Sequence, residues 1–329
     1  MTLHFLFLST LLPLITARDF TEKYARVETS KLLKEFSSLS DTSYPWKSFS
    51  RLDVDTAKSK KTNWTARGAV TPAKDQGNHG YCGTFGRVAA AEGQYALRSG
   101  QSLASFSEQE LVSCVGWDRV PQQFDYFSKN GFMTTAAFPY NQSGKDMDPP
   151  VLGQPCIFQE KLAVVGSGAY NFTNSTGPAI ATKDTSAEDQ MVAFIFKNGP
   201  VQTGIASDVF GLRVKGCESD NSCFITPAMC SKVAGQNIDH SITIVGYGTD
   251  PILGDYWDVK NSWSTAFANQ GFIKVARGTS RRLLDHRLRD HSLIRSSPPP
   301  SPFFPGISCA QIDCCLNIFT YGDASTYFN

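Results

Sequence analysis

Neither sign of charge dominates the 329-residue chain: 31 Lys and Arg stand against 30 Asp and Glu, for a formal net charge of +1. Without an excess positive field it is not a general binder of nucleic acid or another polyanion. After the apolar run from Phe5 to Ile15 there is no second run near the roughly 20 residues that span a bilayer, so no membrane attachment is expected once the first is removed. No internal repeat is present, which excludes solenoids and propellers. His79 and Cys82 lie close together, but no second pair follows at ligand spacing, so no metal and no other cofactor is expected. Cysteine itself is plentiful. The chain has nine, an odd number that leaves at least one out of any set of bridges.

Residues 1–17 combine that apolar run with the small residues Thr16 and Ala17 ahead of Arg18 and Asp19, the layout of a cleaved secretory signal. The implied route is the secretory pathway, with an extracellular or lysosomal destination and an oxidising environment in which most cysteines are bridged. Asn-x-Ser/Thr sequons at Asn63, Asn141, Asn171 and Asn174 are candidate glycan sites there.

From Phe20 to Phe36 apolar residues recur at near-helical spacing. The Ser-, Asp- and Lys-rich sequence that follows, up to Lys61, reads as an exposed linker. The alanine-rich run after Cys82 predicts a helix with Gly100 as its stop, and Ser107-Glu108-Gln109-Glu110 reads as a capping box opening a second helix. Segments 241–248, 256–263 and 271–278 are short, β-branched and aromatic, with turn residues between them. A helical half followed by a strand-rich half predicts an α+β chain of two lobes. The arginines between 281 and 295 read as a solvated face, ahead of a Pro-rich stretch.

Cys82 falls at the start of its predicted helix, where unpaired N–H groups and the macrodipole favour a thiolate. A thiol nucleophile also needs a base. His240 opens a predicted strand, and Asn261 lies 21 residues on, in Lys260-Asn261-Ser262-Trp263. A Cys–His pair oriented by a third polar side chain suits nucleophilic acyl transfer, and the amide of Gln76 can complete an oxyanion hole. Taken singly, each residue is more often structural than catalytic.

Taken together they match a family pattern. KTNWTARGAVTPAKDQGNHGYCGTF resembles the start of mature papain-like cysteine proteases, SFSEQELVSC their Leu-Ser-Glu-Gln-x-Leu-Val-x-Cys block, and NGPV their Gly-Pro-Val segment. DHSITIVGYG and YWDVKNSW resemble the histidine and asparagine strands, and GFIKVARG the Gly-Tyr-x-x-x-x-Arg-Gly strand, all in family order from Trp64 to Gly278. The resemblance implies a papain-like two-lobe fold with the active cleft between a helical left lobe, residues 62–165, and a β-barrel-like right lobe, residues 166–279. A short pro-segment, 18–61, would precede the lobes and an atypical basic and Pro-rich tail, 280–329, would follow.

The resemblance further implies a cysteine-type endopeptidase working through a thioester acyl-enzyme. Cys82 would be nucleophile, His240 base and acid, Asn261 the orienting group and Gln76 the oxyanion donor. Trp263 would shield the Asn–His bond from water, and Gly204 with Ser241 would form floor and wall of the S2 subsite. Cys114 would bridge Cys156, leaving six other cysteines with 15 possible connectivities. Partners would be protein or peptide substrates and, as inhibitor, the chain's own pro-segment, matured near Lys60 or Lys61. The protein would be a monomer.

Several positions depart from the pattern. His79 stands for the family's first cysteine, and Val115-Gly116-Trp117-Asp118 replaces the Gly-Cys-x-Gly-Gly block whose glycines admit the substrate backbone. Gly83 follows Cys82 where the family has Trp, and Ser264 and Ala266 stand for the Gly and Trp after Asn-Ser-Trp. The pro-helix signature and the Cys-Gly-Ile ending are missing. These changes keep a second reading open: a catalytically weak or inactive homologue acting as a binding or decoy protein.

Overall fold

The computed structural model describes residues 49–116, 123, 126, 130–141, 155–159, 163–164, 186–211, 223–233, 239–278 and 316–317. The signal segment, Asn171 and Asn174, and nearly all of the tail lie outside them.

The first described element is helix α1, Arg51–Lys58, inside the stretch expected to be an exposed linker. That expectation is corrected. Ser50 caps the helix reciprocally with Asp53, and Val54 and Ala57, three residues apart on one face, are buried. Strand β1, Thr62–Asn63, follows. Helix α2, Cys82–Arg98, ends at Ser99 with Gly100 at φ +70°, as the alanine-rich run and the glycine stop lead one to expect.

Helix α3, Glu108–Cys114, starts at Ser107, whose hydroxyl accepts from the Glu110 N–H. Only this half of the expected capping box matches the expectation, because the Glu110 carboxylate turns away to accept the Met133 N–H at 2.8 Å. Strands β2, Phe132–Met133, and β3, Ala163–Val164, form a small antiparallel pair. Cys114 and Cys156 are joined in a disulfide with Cα atoms 4.6 Å apart.

The second half carries helix α4, Ala187–Asn198, strand β4, Val201–Ile205, helix α5, Asp208–Gly211, strand β5, Phe224–Ile225, and helix α6, Pro227–Lys232. Strands β6, His240–Asp250, β7, Gly254–Lys260, and β8, Phe272–Ala276, complete the predicted strand region. The sheet runs β5-β8-β7-β6-β4-β9, where β9 is Leu316–Asn317, and β1 adds to β6. Among the described residues, only the β5–β8 pairing is parallel. The tail expected to begin at residue 280 therefore returns to the sheet, placing Asn317 opposite Gly204. Helices and a mixed sheet together give the α+β architecture.

Candidate active site

The strands bring His240 and Asn261 side by side. His240 opens β6, Asn261 follows the last residue of β7, and the two strands pair at Thr243 and Lys260. His240 Nε2 lies 2.7 Å from Asn261 Oδ1. The Ser262 N–H donates to that same Oδ1 at 2.8 Å. A backbone N–H can only donate, so the facing atom is oxygen and the amide orientation is settled independently of the histidine. Nε2 must then be the donor, which leaves Nδ1 as the basic nitrogen of the neutral ring.

Aromatic rings enclose this pair. Trp263 lies over His240 at 4.7 Å between ring centroids, where the sequence expectation put a shield. Phe210 meets the His240 ring edge-on at 6.3 Å, and Phe210 and Phe267 pack on Trp263 at 5.5 and 5.4 Å. In the turn after Asn-Ser-Trp, where Ser264 and Ala266 stand for the family's Gly and Trp, the next residue, Phe267, is fully buried and packs on Trp263. The neighbouring Ser264 is held at φ +63°, a left-handed conformation that costs a non-glycine residue about 1 kcal/mol or more.

Cys82 is buried, lies outside the disulfides, and is the first residue of α2. Its neighbour Tyr81 sits at the N-cap position without a side-chain cap, so the first-turn N–H groups keep their electrostatic pull. Gln202 seats the helix. Its Nε2 donates to Gly83 O at 3.2 Å and to Ser241 Oγ at 2.8 Å. One amide thus ties the residue after Cys82 to the residue after His240. Thr243 Oγ1 also donates to Gly86 O at 3.1 Å.

Close seating requires glycine on this helix face. A Cβ at Gly86 would stand 2.8 Å from Ser241 Oγ, and one at Gly93, two turns on, 2.6 Å from Pro200 Cγ. Ser241, expected to line the substrate side with Gly204, turns its hydroxyl into this seam and is 1% exposed. Gly204 pairs directly with Ser241.

Gln76 lies in a loop that the strand end stitches in place. Ser264 N–H donates to Lys74 O at 3.0 Å and Gln76 N–H to Ser262 O at 2.9 Å. Ser262 Oγ donates to Gln76 Oε1 at 2.6 Å, and Tyr140 Oη to Gln76 O at 2.9 Å. Gln76 Nε2 donates to His79 O at 2.7 Å. An amide has two such hydrogens, so one remains for another acceptor. His79 stacks on Tyr81 at 5.1 Å, and Tyr140 stands edge-on to Tyr81 and Phe85 at 6.5 and 4.9 Å. These rings form one aromatic cluster on the side of the loop that leads into α2.

A buried charge cluster lies behind the loop. Lys74 Nζ is 2.7 Å from both Glu92 and Glu108 carboxylates. Lys260, just before Asn261, donates to Thr71 Oγ1 at 2.7 Å and lies 3.8 Å from Glu92. Burial pushes the Glu92 carboxyl up, but Lys74 and Lys260 outweigh it and hold it below its usual range. Burial lowers Lys260 to about 8 against the opposing pull of Glu92.

The structure therefore brings His240, Asn261 and Trp263 together; Gln202 ties the start of the helix that Cys82 heads to the strand that His240 opens, and Ser262 braces Gln76. Gln202, Ser262, Tyr140 and Phe210 were not singled out from sequence. Only Ser262 carried a local signal, its place inside Asn-Ser-Trp. Asn63 is exposed and its Oδ1 accepts the Ala66 N–H at 2.8 Å; Asn141 is half-buried. Cys223 and Cys230 are also held in disulfides. Among the described residues there is no cluster of metal-ligating side chains and no helix long and apolar enough to cross a membrane.

The family model for papain family cysteine proteases matches residues 58–288. A cathepsin L-like protein of Caenorhabditis elegans is 32% identical over 228 residues, 66% of this chain and 59% of that protein. Cathepsin L of Sarcophaga peregrina is 32% identical over 234 residues, 68% of this chain and 60% of that one. The match thus spans about three fifths of these relatives' length. Among solved structures, the proform of the ragweed pollen cysteine protease Amb a 11 superposes with a TM-score of 0.51 at 23% identity, covering 80% of this chain and 72% of that one. That likeness shows the papain-like fold.

Proposed function

The chain belongs to the papain family of cysteine proteases, and from that premise we propose that it is a thiol endopeptidase with Cys82 as nucleophile and His240 as base and acid. The observation that carries this is the fixed orientation of the Asn261 amide. With Oδ1 engaged by both Ser262 N–H and His240 Nε2, the imidazole keeps Nδ1 basic and ready for the thiol proton.

In the first step the Cys82 proton passes to His240 Nδ1 and the thiolate sulfur attacks the peptide carbonyl carbon. The negative charge that develops on the carbonyl oxygen is met by the remaining Nε2 hydrogen of Gln76 and by first-turn N–H groups of α2. The imidazolium then gives its proton to the leaving amine, and a thioester remains. Water, deprotonated by the same imidazole, releases the acid and restores the thiol. Trp263 and Phe210 keep bulk water from the His–Asn bond, where a low local dielectric strengthens it.

Protein or peptide substrates, a pro-segment inhibitor and a secretory destination, extracellular or lysosomal, fit the cathepsin L relatives and belong to the same reading. Asn63 and Asn141 are the described sequons that glycan occupancy would test.

A peptidyl electrophile that traps active thiolates provides the experiment. Stoichiometric modification of Cys82 is expected, with His240→Ala slowing it by about 10²–10⁴. No labelling at acidic or neutral pH after pro-segment removal would overturn the peptidase and favour a binding or decoy protein with an altered cleft.

A further inference from the structure

Helix α1 lies within the stretch 18–61 assigned to a pro-segment, yet it is built into the right-hand lobe. It runs antiparallel to α4, with an ion pair at each end. Asp53 in its first turn meets Lys197 in the last turn of α4 at 2.5 Å, and Lys58 in its last turn meets Asp189 in the first turn of α4 at 2.8 Å. Each of the four charges also sits at the end of its own helix that the macrodipole favours.

The backbone ahead of α1 is read as well. The buried Gln190 accepts the Phe49 N–H at 2.7 Å and donates to Phe49 O at 3.0 Å. The Phe49 ring stands edge-on to Phe194 at 6.4 Å, and Lys197 Nζ lies over it at 5.3 Å. Below, Val54 and Ala57 join the main core at 1% and 0% exposure. The buried Tyr247 hydroxyl donates to Ala57 O at 2.8 Å.

Position along β6 separates this contact from the chemistry. Tyr247 is seven residues from His240 on the same strand, roughly 23 Å at the rise of an extended chain. A helix anchored there stands well away from His240. The turn that follows, Ser59 to Lys61, is exposed and lies past the last residue of the helix, so a processing enzyme can cut it without breaking the helix.

We propose that α1 is a permanent part of the right-hand lobe and not a releasable inhibitor: a chain cut in the turn at Ser59–Lys61 keeps residues 49–58 seated on α4 and β6. Any inhibitory portion of the pro-segment lies before Phe49. The proposal rests on the peptidase reading only for the expectation of a cut near Lys60 or Lys61.

The test uses the full chain carrying Cys82→Ala, nicked by a lysine-specific endoprotease under native conditions. Peptides ending at Lys58 or Lys60 are expected to co-elute with the folded body on size exclusion and to separate from it only in denaturant, as read by mass spectrometry. Gln190→Ala should lower retention at least tenfold, and Val54→Asp should abolish it. A peptide that elutes apart from a body still folded by circular dichroism overturns the proposal. Because the readout does not involve catalysis, that result would leave the peptidase reading untouched.

Discussion

The two walls of the candidate site are held in place by different means. On the right wall His240 and Asn261 stand at the ends of paired strands, and the register of β6 with β7 brings them together with few other requirements. On the left wall Cys82 heads a helix, while Gln76 lies in a loop with little regular structure of its own. Its place depends on residues 60 to nearly 190 positions away, Tyr140 and Ser262 among them. The left wall also carries most departures from the family pattern: His79, Gly83 and the Val115-Gly116-Trp117-Asp118 block. A strand end tolerates little change because one slip of register turns every side chain over. A loop braced by several distant partners can exchange aromatic bulk from one position to another and keep its backbone path.

This contrast breaks most sharply if the braces of the left wall can be removed without consequence. Lys74→Met leaves Glu92 and Glu108 facing each other in a dry interior, and urea denaturation should show a loss of about 3–5 kcal/mol. A smaller test separates the lobes' pH behaviour. Burial pushes the Glu110 carboxyl up from 4.5 to about 7. Between these values the folded state holds a proton that the unfolded chain has lost, so this group's contribution falls as pH rises from 4.5 to 7. Glu110→Gln should remove about 2–3 kcal/mol of the stability difference between those two pH values. Equal slopes in wild type and variant would contradict the assignment.

Gly86→Ala addresses the seam between the walls. The added methyl meets Ser241 Oγ and Gln202, so stability should fall by about 1–3 kcal/mol. Electrophile labelling of Cys82 should slow as the helix start shifts, whereas an unchanged labelling rate would mean the seam does not position the thiol. The smallest effect has the opposite sign. Ser264→Gly relieves the left-handed backbone and should stabilise the protein by about 0.5 kcal/mol, read as a raised denaturation midpoint.

How much was readable beforehand follows the same division. The strands around His240, the helix after Cys82 and the disulfide partner of Cys114 carried local or family patterns and were expected where they are found. Helix α1 was missed because Ser, Asp and Lys dominate the stretch around it, up to Lys61; its capping box and the Val54–Ala57 face were present but outweighed by that composition. Gln202 was unreadable because nothing marks a strand glutamine as the bridge between two other segments.

The amino-acid sequence by itself determined the residue types that make acyl transfer conceivable and the periodicities that turn them into helix and strand. Those are short-range properties, written in neighbours three or four residues apart or in strict alternation. Only the tertiary structure decided which hydroxyl braces Gln76, which amide joins the nucleophile's helix to the histidine strand, and that a polar stretch ahead of the expected cleavage site belongs to the core. These depend on contacts between segments roughly 100 or more residues apart. Their energy comes from burial and hydrogen-bond satisfaction, and these exist only once the chain has closed on itself.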